Sequence, residues 1–142
     1  MAFDNFLVSG NISASGMSAE RTRMDVTAQN IANALSTRAG PNGVYRRQNV
    51  VFETVMNDQL RGPAALGGVR VAEVVSDQGD LPKIHDPGHP DADQDGFVTM
   101  PNVSLPMEMI NLMTASRAYE ANLKVLQTLR QQMEATLNLI RY

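Results

Sequence analysis

Both ends of this chain carry an apolar seven-residue repeat, and that spacing restricts what the ends can become. Steps of three and four from Met109 reach Met109, Leu112, Ser116, Tyr119, Leu123, Leu126, Arg130, Met133, Leu137 and Ile140, eight of the ten apolar. Steps of four and three from Phe3 reach Phe3, Leu7, Gly10, Ala14, Met17, Arg21, Met24, Ala28, Ile31 and Leu35, interrupted only by Gly10 and Arg21. A mean spacing of about 3.5 residues holds one line of a helix against a partner, the condition for coiled-coil packing. The repeat predicts a mainly α fold with a small β insertion. Long N- and C-terminal helices would pack as an antiparallel coiled-coil-like pair, over residues 1–40 and 104–142. A small β-rich domain with loops would fill residues 41–103.

Local signals sharpen the boundaries. A helix is expected over residues 1 to about 36, although Gly10 and Gly16 each cost it roughly 1 kcal/mol relative to Ala. Packed against another helix, the same glycines permit a close backbone approach or a bend. Arg38-Ala39-Gly40-Pro41-Asn42-Gly43 supplies the stop. Val44 to Val55 and Val69 to Val75 are rich in β-branched residues and bounded by turn formers, so they read as strands. Lys83-Ile84-His85 and Phe97 to Met100 are shorter strand candidates, and residues 61–68 read as a mobile loop. Ser104 can cap the last helix, with Pro106 in its first turn and Glu108 near the positive end of its dipole. Beyond Pro106, no Gly or Pro interrupts it before Ile140.

Composition removes several function classes. Twelve basic and 15 acidic residues give a net charge of -3, and no basic run exists to follow a nucleic acid. The apolar runs are too short for direct membrane insertion. The N-terminus lacks the basic and apolar segments of a cleaved secretory signal. The absence of cysteine excludes disulfides and thiolate metal sites. Nine methionines against 5% aromatic residues suggest helix faces that adapt to their neighbours rather than one aromatic core.

Two clusters resemble chemistry. Asp91-Ala92-Asp93-Gln94-Asp95-Gly96 matches the opening of a calcium-binding loop, but the twelfth position, where a bidentate Glu is required, holds Asn102. The alternative is a turn whose short carboxylates cap their own backbone. His85 and His89 beside Asp86 and Asp91 offer zinc-type ligands, yet Pro87-Gly88 prevents the helix that would align them. A surface loop with incidental histidines is the other reading. No nucleophile stands in a hydrolase setting and no glycine-rich phosphate loop occurs, so no catalytic residue, cofactor or resident metal is expected. Arg46-Arg47 reads as a solvated strand face, with a phosphate contact as the alternative. Arg21 and Arg130 fall inside the apolar lines. They either set register by pairing with Glu20, Asp25, Glu134 or a neighbouring chain, or lay their stems on the helix and reach solvent.

The lines leave two architectures open. One is a two-helix hairpin on its own small β domain. The other is assembly, in which the ends become fully helical only between subunits, with Leu105, Ile110, Met113, Val125 and Leu139 supplying further contacts.

Three stretches resemble the bacterial flagellar rod and hook protein family. Asp25-Val26-Thr27-Ala28-Gln29-Asn30-Ile31-Ala32-Asn33-Ala34-Leu35-Ser36-Thr37 is similar to its N-terminal signature, with Asn30, Ile31, Ala32 and Asn33 at the centre. Glu108 to Leu123 is similar to its C-terminal signature, through Ser116, Arg117, Tyr119, Glu120 and Asn122. Asp86-Pro87-Gly88-His89-Pro90-Asp91-Ala92-Asp93, with Gly96-Phe97-Val98 and Pro101-Asn102-Val103, resembles the proximal-rod branch. The resemblance implies a structural subunit of the flagellar basal body. It implies export through the flagellar type III apparatus without a cleaved signal, and assembly in the periplasm into a hollow rod that transmits torque and continues the export channel. Its partners would be other rod subunits, copies of itself and the basal-body rings.

Overall fold

The computed structural model describes residues 2–38, 40, 43–56 and 66–140, and the side chains of residues 7–38, 43–56 and 67–139 among them. Helix α1 runs Ala2–Asn33 and helix α2 runs Leu105–Ile140. Between them lie strands β1 (Gln48–Met56), β2 (Leu66–Ser76), β3 (Lys83–His85) and β4 (Phe97–Thr99). The mainly α architecture with a small antiparallel β region follows the repeat and the strand signals.

Each boundary has a local cause. α1 stops about three residues before the expected end, because the chain tightens into three-residue hydrogen bonds. Ala34 N donates to Ile31 O at 3.3 Å and Ser36 N to Asn33 O at 3.0 Å. β1 begins at Gln48 rather than Val44 because the preceding residues bond elsewhere: Tyr45 reaches Asn30, and Arg47 N donates to Asn102 Oδ1 at 2.8 Å. The expected loop at 61–68 lies outside the described residues up to position 65, and its remainder is already β2. α2 starts directly after Ser104, whose carbonyl accepts its first helical bond from Glu108 N at 2.9 Å.

The two helices lie side by side and run in opposite directions. Asn30, near the end of α1, bonds Glu108, near the start of α2. Further along, a methyl group placed at Gly16 would sit 3.1 Å from Asn122 Nδ2, and one at Gly10 would sit 4.0 Å from Leu126 Cδ2. Gly16 therefore supplies close approach, which compensates for its weak helix propensity.

β1 and β2 form an antiparallel hairpin from Gln48↔Ser76 to Met56↔Leu66, with register shifts at Val51/Phe52 and Val55/Met56. Each shift leaves an unpaired residue on β2, Ala72 and Gly67, and bends that strand. The hairpin crosses α1 at Ser15. Val69 N donates to Ser15 Oγ at 3.1 Å, while the same hydroxyl donates to Ile12 O at 2.7 Å. Gly68, at φ 112°, holds a conformation that side-chain-bearing residues rarely adopt, and a side chain there would overlap Ser15. β3 and β4 make a second small hairpin, Lys83↔Thr99 to His85↔Phe97.

Among the described residues, the buried apolar side chains are Ala19, Val26, Ala34, Val98 and Ala115. That core is small.

Candidate functional site

A buried polar junction ties both helices to the start of the β hairpin. Asn30 and Glu108 are each 1% exposed and are the largest fully buried side chains described. The Asn30 amide nitrogen donates to Gln48 O and to Glu108 Oε2, both at 2.9 Å. Its oxygen accepts from Tyr45 Oη at 2.8 Å and from Gln48 N at 2.9 Å. These four bonds fill the capacity of a carboxamide. Glu108 Oε1 accepts from Arg47 Nε at 2.7 Å, so the anion deep in the fold has both a cation and an amide on it. Asn49 receives a further bond from Arg47 Nη1. Burial, and secondarily the Glu108 carboxylate, push the Tyr45 hydroxyl above its ordinary pKa of 10.0.

The junction corrects one expectation and adds to another. Arg47 is not on a solvated strand face. Its side chain is 25% exposed and locked to Glu108. Arg46 donates to Asp77 O at 3.2 Å and Gly79 O at 2.9 Å, holding the end of the hairpin. Glu108 does more than complement a helix dipole, because it is the anchor of a pair separated by 61 residues. A carboxylate and a guanidinium so distant in sequence carry no local signal of their partnership. Beside the junction, a cleft of about 320 Å³ is lined by Arg23, Thr27, Gln48, Asn49, Phe52 and Asn111 among others.

The apolar repeats divide between this packing and the surface. On α2, Leu112, Tyr119, Leu126 and Met133 are half-buried, as the repeat requires. The alternate positions that share their protection are Glu108, Ala115, Asn122 and Leu129, one residue before the expected Met109, Ser116, Leu123 and Arg130. Met109 is 60% exposed, Leu123 38% and Leu137 53%. On α1 the protected line is Ala19, Val26, Thr27, Asn30 and Ala34, whereas Met17, Met24 and Ile31 flank it half-buried. Leu7 and Leu35 stand out in solvent. Phe3 and Ile140 have side chains outside the described residues. The helices meet through small and polar residues, and much of the apolar repeat faces away.

The family-signature residues separate similarly. Asn30 sits in the junction. Asn33 and Asn122 cap carbonyls of their own helices, Gln29 O at 2.8 Å and Ala118 O at 3.0 Å. Ser116 donates to Glu120 at 3.4 Å. Ala32, Arg117 and Glu120 are exposed, and Ile31 and Tyr119 are half-buried.

The acidic loop is built as a set of backbone-capping turns. Asp93 Oδ1 accepts from Asp95 N at 3.0 Å and Phe97 N at 2.8 Å. Asp91 Oδ2 accepts from Thr37 at 2.8 Å, tying the loop to the segment after α1. His89 Nδ1 accepts from Asp91 N at 3.1 Å, and His85 packs edge-on against Phe97 with ring centres 5.0 Å apart. Among the described residues, no three His, Asp or Glu side chains converge as a metal-ion site. No described helix is long and apolar enough to cross a membrane.

Known proteins are similar to this chain over most of its length. Residues 11–37 match the sequence family described as "Flagella basal body rod protein". Residues 94–139 match the one described as "Flagellar basal body rod FlgEFG protein C-terminal". The flagellar basal-body rod protein FlgC of Salmonella typhimurium is 44% identical over 130 residues, covering 91% of this chain and 93% of that protein. The protein of the same name from Borreliella burgdorferi is 38% identical over 144 residues, covering 92% and 95%. That of Bacillus subtilis is 36% identical over 141 residues, covering 91% and 94%.

Proposed function

The chain belongs to the flagellar basal-body rod protein FlgC family, and from that premise we propose how it works as a structural subunit of the rod. The family is a structural one that serves motility, and its members act among other rod and basal-body components.

In the finer reading, the terminal segments (residues 1–40 and 104–142) form the inner, antiparallel coiled-coil-like layer of a hollow drive shaft. The middle segment, residues 41–103, forms a small outer domain. The subunit reaches the periplasm through the flagellar type III export apparatus and packs against other rod proteins, copies of itself and basal-body rings. The assembled wall transmits torque and continues the export channel.

One observation carries this reading: the apolar repeat is more extensive than the chain's own packing uses. The chain exposes 10255 Å², against about 7200 Å² for a compact monomer of its mass. Exposed Met107, Met109, Ile110 and Met113, each between 56% and 60%, crowd two turns of α2. Apolar area of that kind marks a surface that another chain covers, and methionine suits neighbours of differing shape.

Isolation of basal bodies from cells carrying a tagged copy tests the assignment. The chain should co-purify with the rod after the filament and hook are removed. Recovery only from the soluble fraction, beside complete basal bodies, would overturn it.

A further inference from the structure

The outer edge of β1 is open beside a cleft with a surplus of positive charge. At Gln48 that edge is already paired, because the Asn30 carboxamide accepts from Gln48 N and donates to Gln48 O, both at 2.9 Å. For one position, a side chain takes the place of a neighbouring strand. Backbone groups alternate in direction along a strand, and both register shifts put their extra residue on β2, so β1 keeps its period. Val50, Phe52 and Thr54 therefore turn their N–H and C=O groups to the same edge as Gln48. At the far end the hairpin meets α1 through β2 instead, where Val69, opposite Thr54, donates its N–H to Ser15. The hairpin rolls from one edge to the other along α1, so the β1 edge parts from the helices as it advances. Among the described residues, nothing bonds the outward groups of Val50 and Phe52. Free edges are commonly guarded by Lys, Pro or a bulge. β1 carries no Lys or Pro, and the bulged residues belong to β2.

The cleft of about 320 Å³ follows this edge, with Gln48, Val50 and Phe52 on one side and Arg23, Thr27 and Asn111 on the other. Its charged lining is Arg23, Arg47 and Glu108. Glu108 is fully engaged: Arg47 and Asn111 donate to Oε1, and Asn30 donates to Oε2. Arg47 gives Nε to Glu108 and Nη1 to Asn49, which leaves its Nη2 group uncommitted among the described residues. Arg23 reaches Glu20 only at 3.7 Å, and that Glu20 oxygen accepts no hydrogen bond.

We propose that an extended segment of another protein, carrying an acidic side chain, docks in this cleft as a third strand beside β1. Its backbone takes up the pairing where the Asn30 carboxamide stops, at Val50 and Phe52. Its carboxylate lies between Arg23 and the Nη2 side of Arg47. Backbone pairing supplies affinity with little regard to sequence, and the two guanidiniums select an acidic segment over a basic one. Charge also sets this occupant apart from a second copy, because β1 paired with β1 would bring two sets of these arginines to one seam. The inference stands on the cleft and not on the rod assignment, and each can fail without the other.

Peptide titration of the full chain, followed by its amide resonances, tests the proposal. The probes are acetyl-Thr-Glu-Val-Glu-Thr-amide, the same peptide with Lys for both Glu, and the acidic peptide N-methylated throughout. The acidic peptide should shift the Val50 and Phe52 amides, slow their exchange and bind at least roughly tenfold more tightly than the Lys peptide. N-methylation should abolish the effect, since it removes the donors that meet the edge. Arg23→Glu should reverse the preference between the two charged peptides, and the milder Arg23→Gln should erase it, with the circular dichroism of the chain unchanged. Silent Val50 and Phe52 amides at millimolar peptide, an equal response to the Lys peptide, or binding undiminished by N-methylation would each overturn the proposal. Protection of these amides that grows with chain concentration alone would also overturn it, by assigning the edge to a second copy.

Discussion

Asn30 donates a 2.9 Å hydrogen bond to Glu108 across 78 residues of sequence, with both side chains shut away from solvent. The bond joins the last turn of α1 to the first turn of α2, and Arg47 on Glu108 brings in the β hairpin. Three elements with no local reason to associate are thus held by one amide and one ion pair. A buried polar group of this kind is costly unless fully satisfied, so it accepts one arrangement of the backbone and rejects others.

Glu108→Gln should destabilise the chain by roughly 1.5–3 kcal/mol. Glutamine keeps the shape, but one of its two ends presents an N–H to either Arg47 or Asn30, each of which needs an acceptor. Urea unfolding followed by circular dichroism measures the loss. An unchanged midpoint would show that the junction is not cooperative with the helices.

Two leucines on one helix turn separate folding from assembly. Leu126 is half-buried opposite Gly10, so Leu126→Asp buries an uncompensated carboxylate and should lower helicity and abolish swimming. Leu123 is 38% exposed, so Leu123→Asp should leave the circular dichroism of the isolated chain unchanged and still abolish swimming. Normal motility in the Leu123→Asp strain would place the intersubunit contact elsewhere.

Gly68→Ala should cost about 1–3 kcal/mol, from its φ of 112° and from overlap with Ser15. Gly16→Ala should change stability little, because a helix-propensity gain of about 1 kcal/mol opposes the displacement of Asn122, 3.1 Å away. Gly16→Val removes that gain and should destabilise. Thermal unfolding of the three variants ranks them.

Tyr45 gives the fold an alkaline limit. Its pKa is raised above 10.0 because burial, then Glu108, disfavour the phenolate. The neutral hydroxyl contributes fully below pH 10.0, the ordinary tyrosine value, and the contribution is lost as pH rises through the elevated pKa of the folded state. Tyr45→Phe should be less stable by about 0.5–1.5 kcal/mol near neutrality, with a shallower decline at alkaline pH. Parallel unfolding curves across pH for the two proteins would contradict this.

The acidic loop should take up no calcium at micromolar concentration, since Asp93 already accepts two of its own backbone N–H groups. Titration calorimetry checks this. Asp93→Ala should loosen the turn, seen as faster amide exchange at Phe97, without altering any calcium heat.

The helices and strands were legible because each rests on a local period, 3.5 for the ends and β-branched runs for the middle. The line along which α1 and α2 meet was not. Hydrophobic periodicity selects the most apolar stripe, whereas this contact uses Gly16, Asn122, Asn30 and Glu108, residues chosen for size and hydrogen bonding. On α2 the shift is a single residue at alternate positions, enough to send Met109 and Leu123 outward. Arg47 was unreadable for a different reason: its counter-ion lies 61 residues away, and only the folded chain brings them together.

The position of the polar junction has a mechanical corollary. The pair is fastened at the hairpin end, while Ala2 of α1 and Ile140 of α2 lie at the other. A load that pries the tips apart meets one turn at a time, as in opening tweezers. A load along the shaft is shared by every turn at once. A wall made of such units resists stretching and twisting far better than splaying, and its weak direction is the one that close neighbours block.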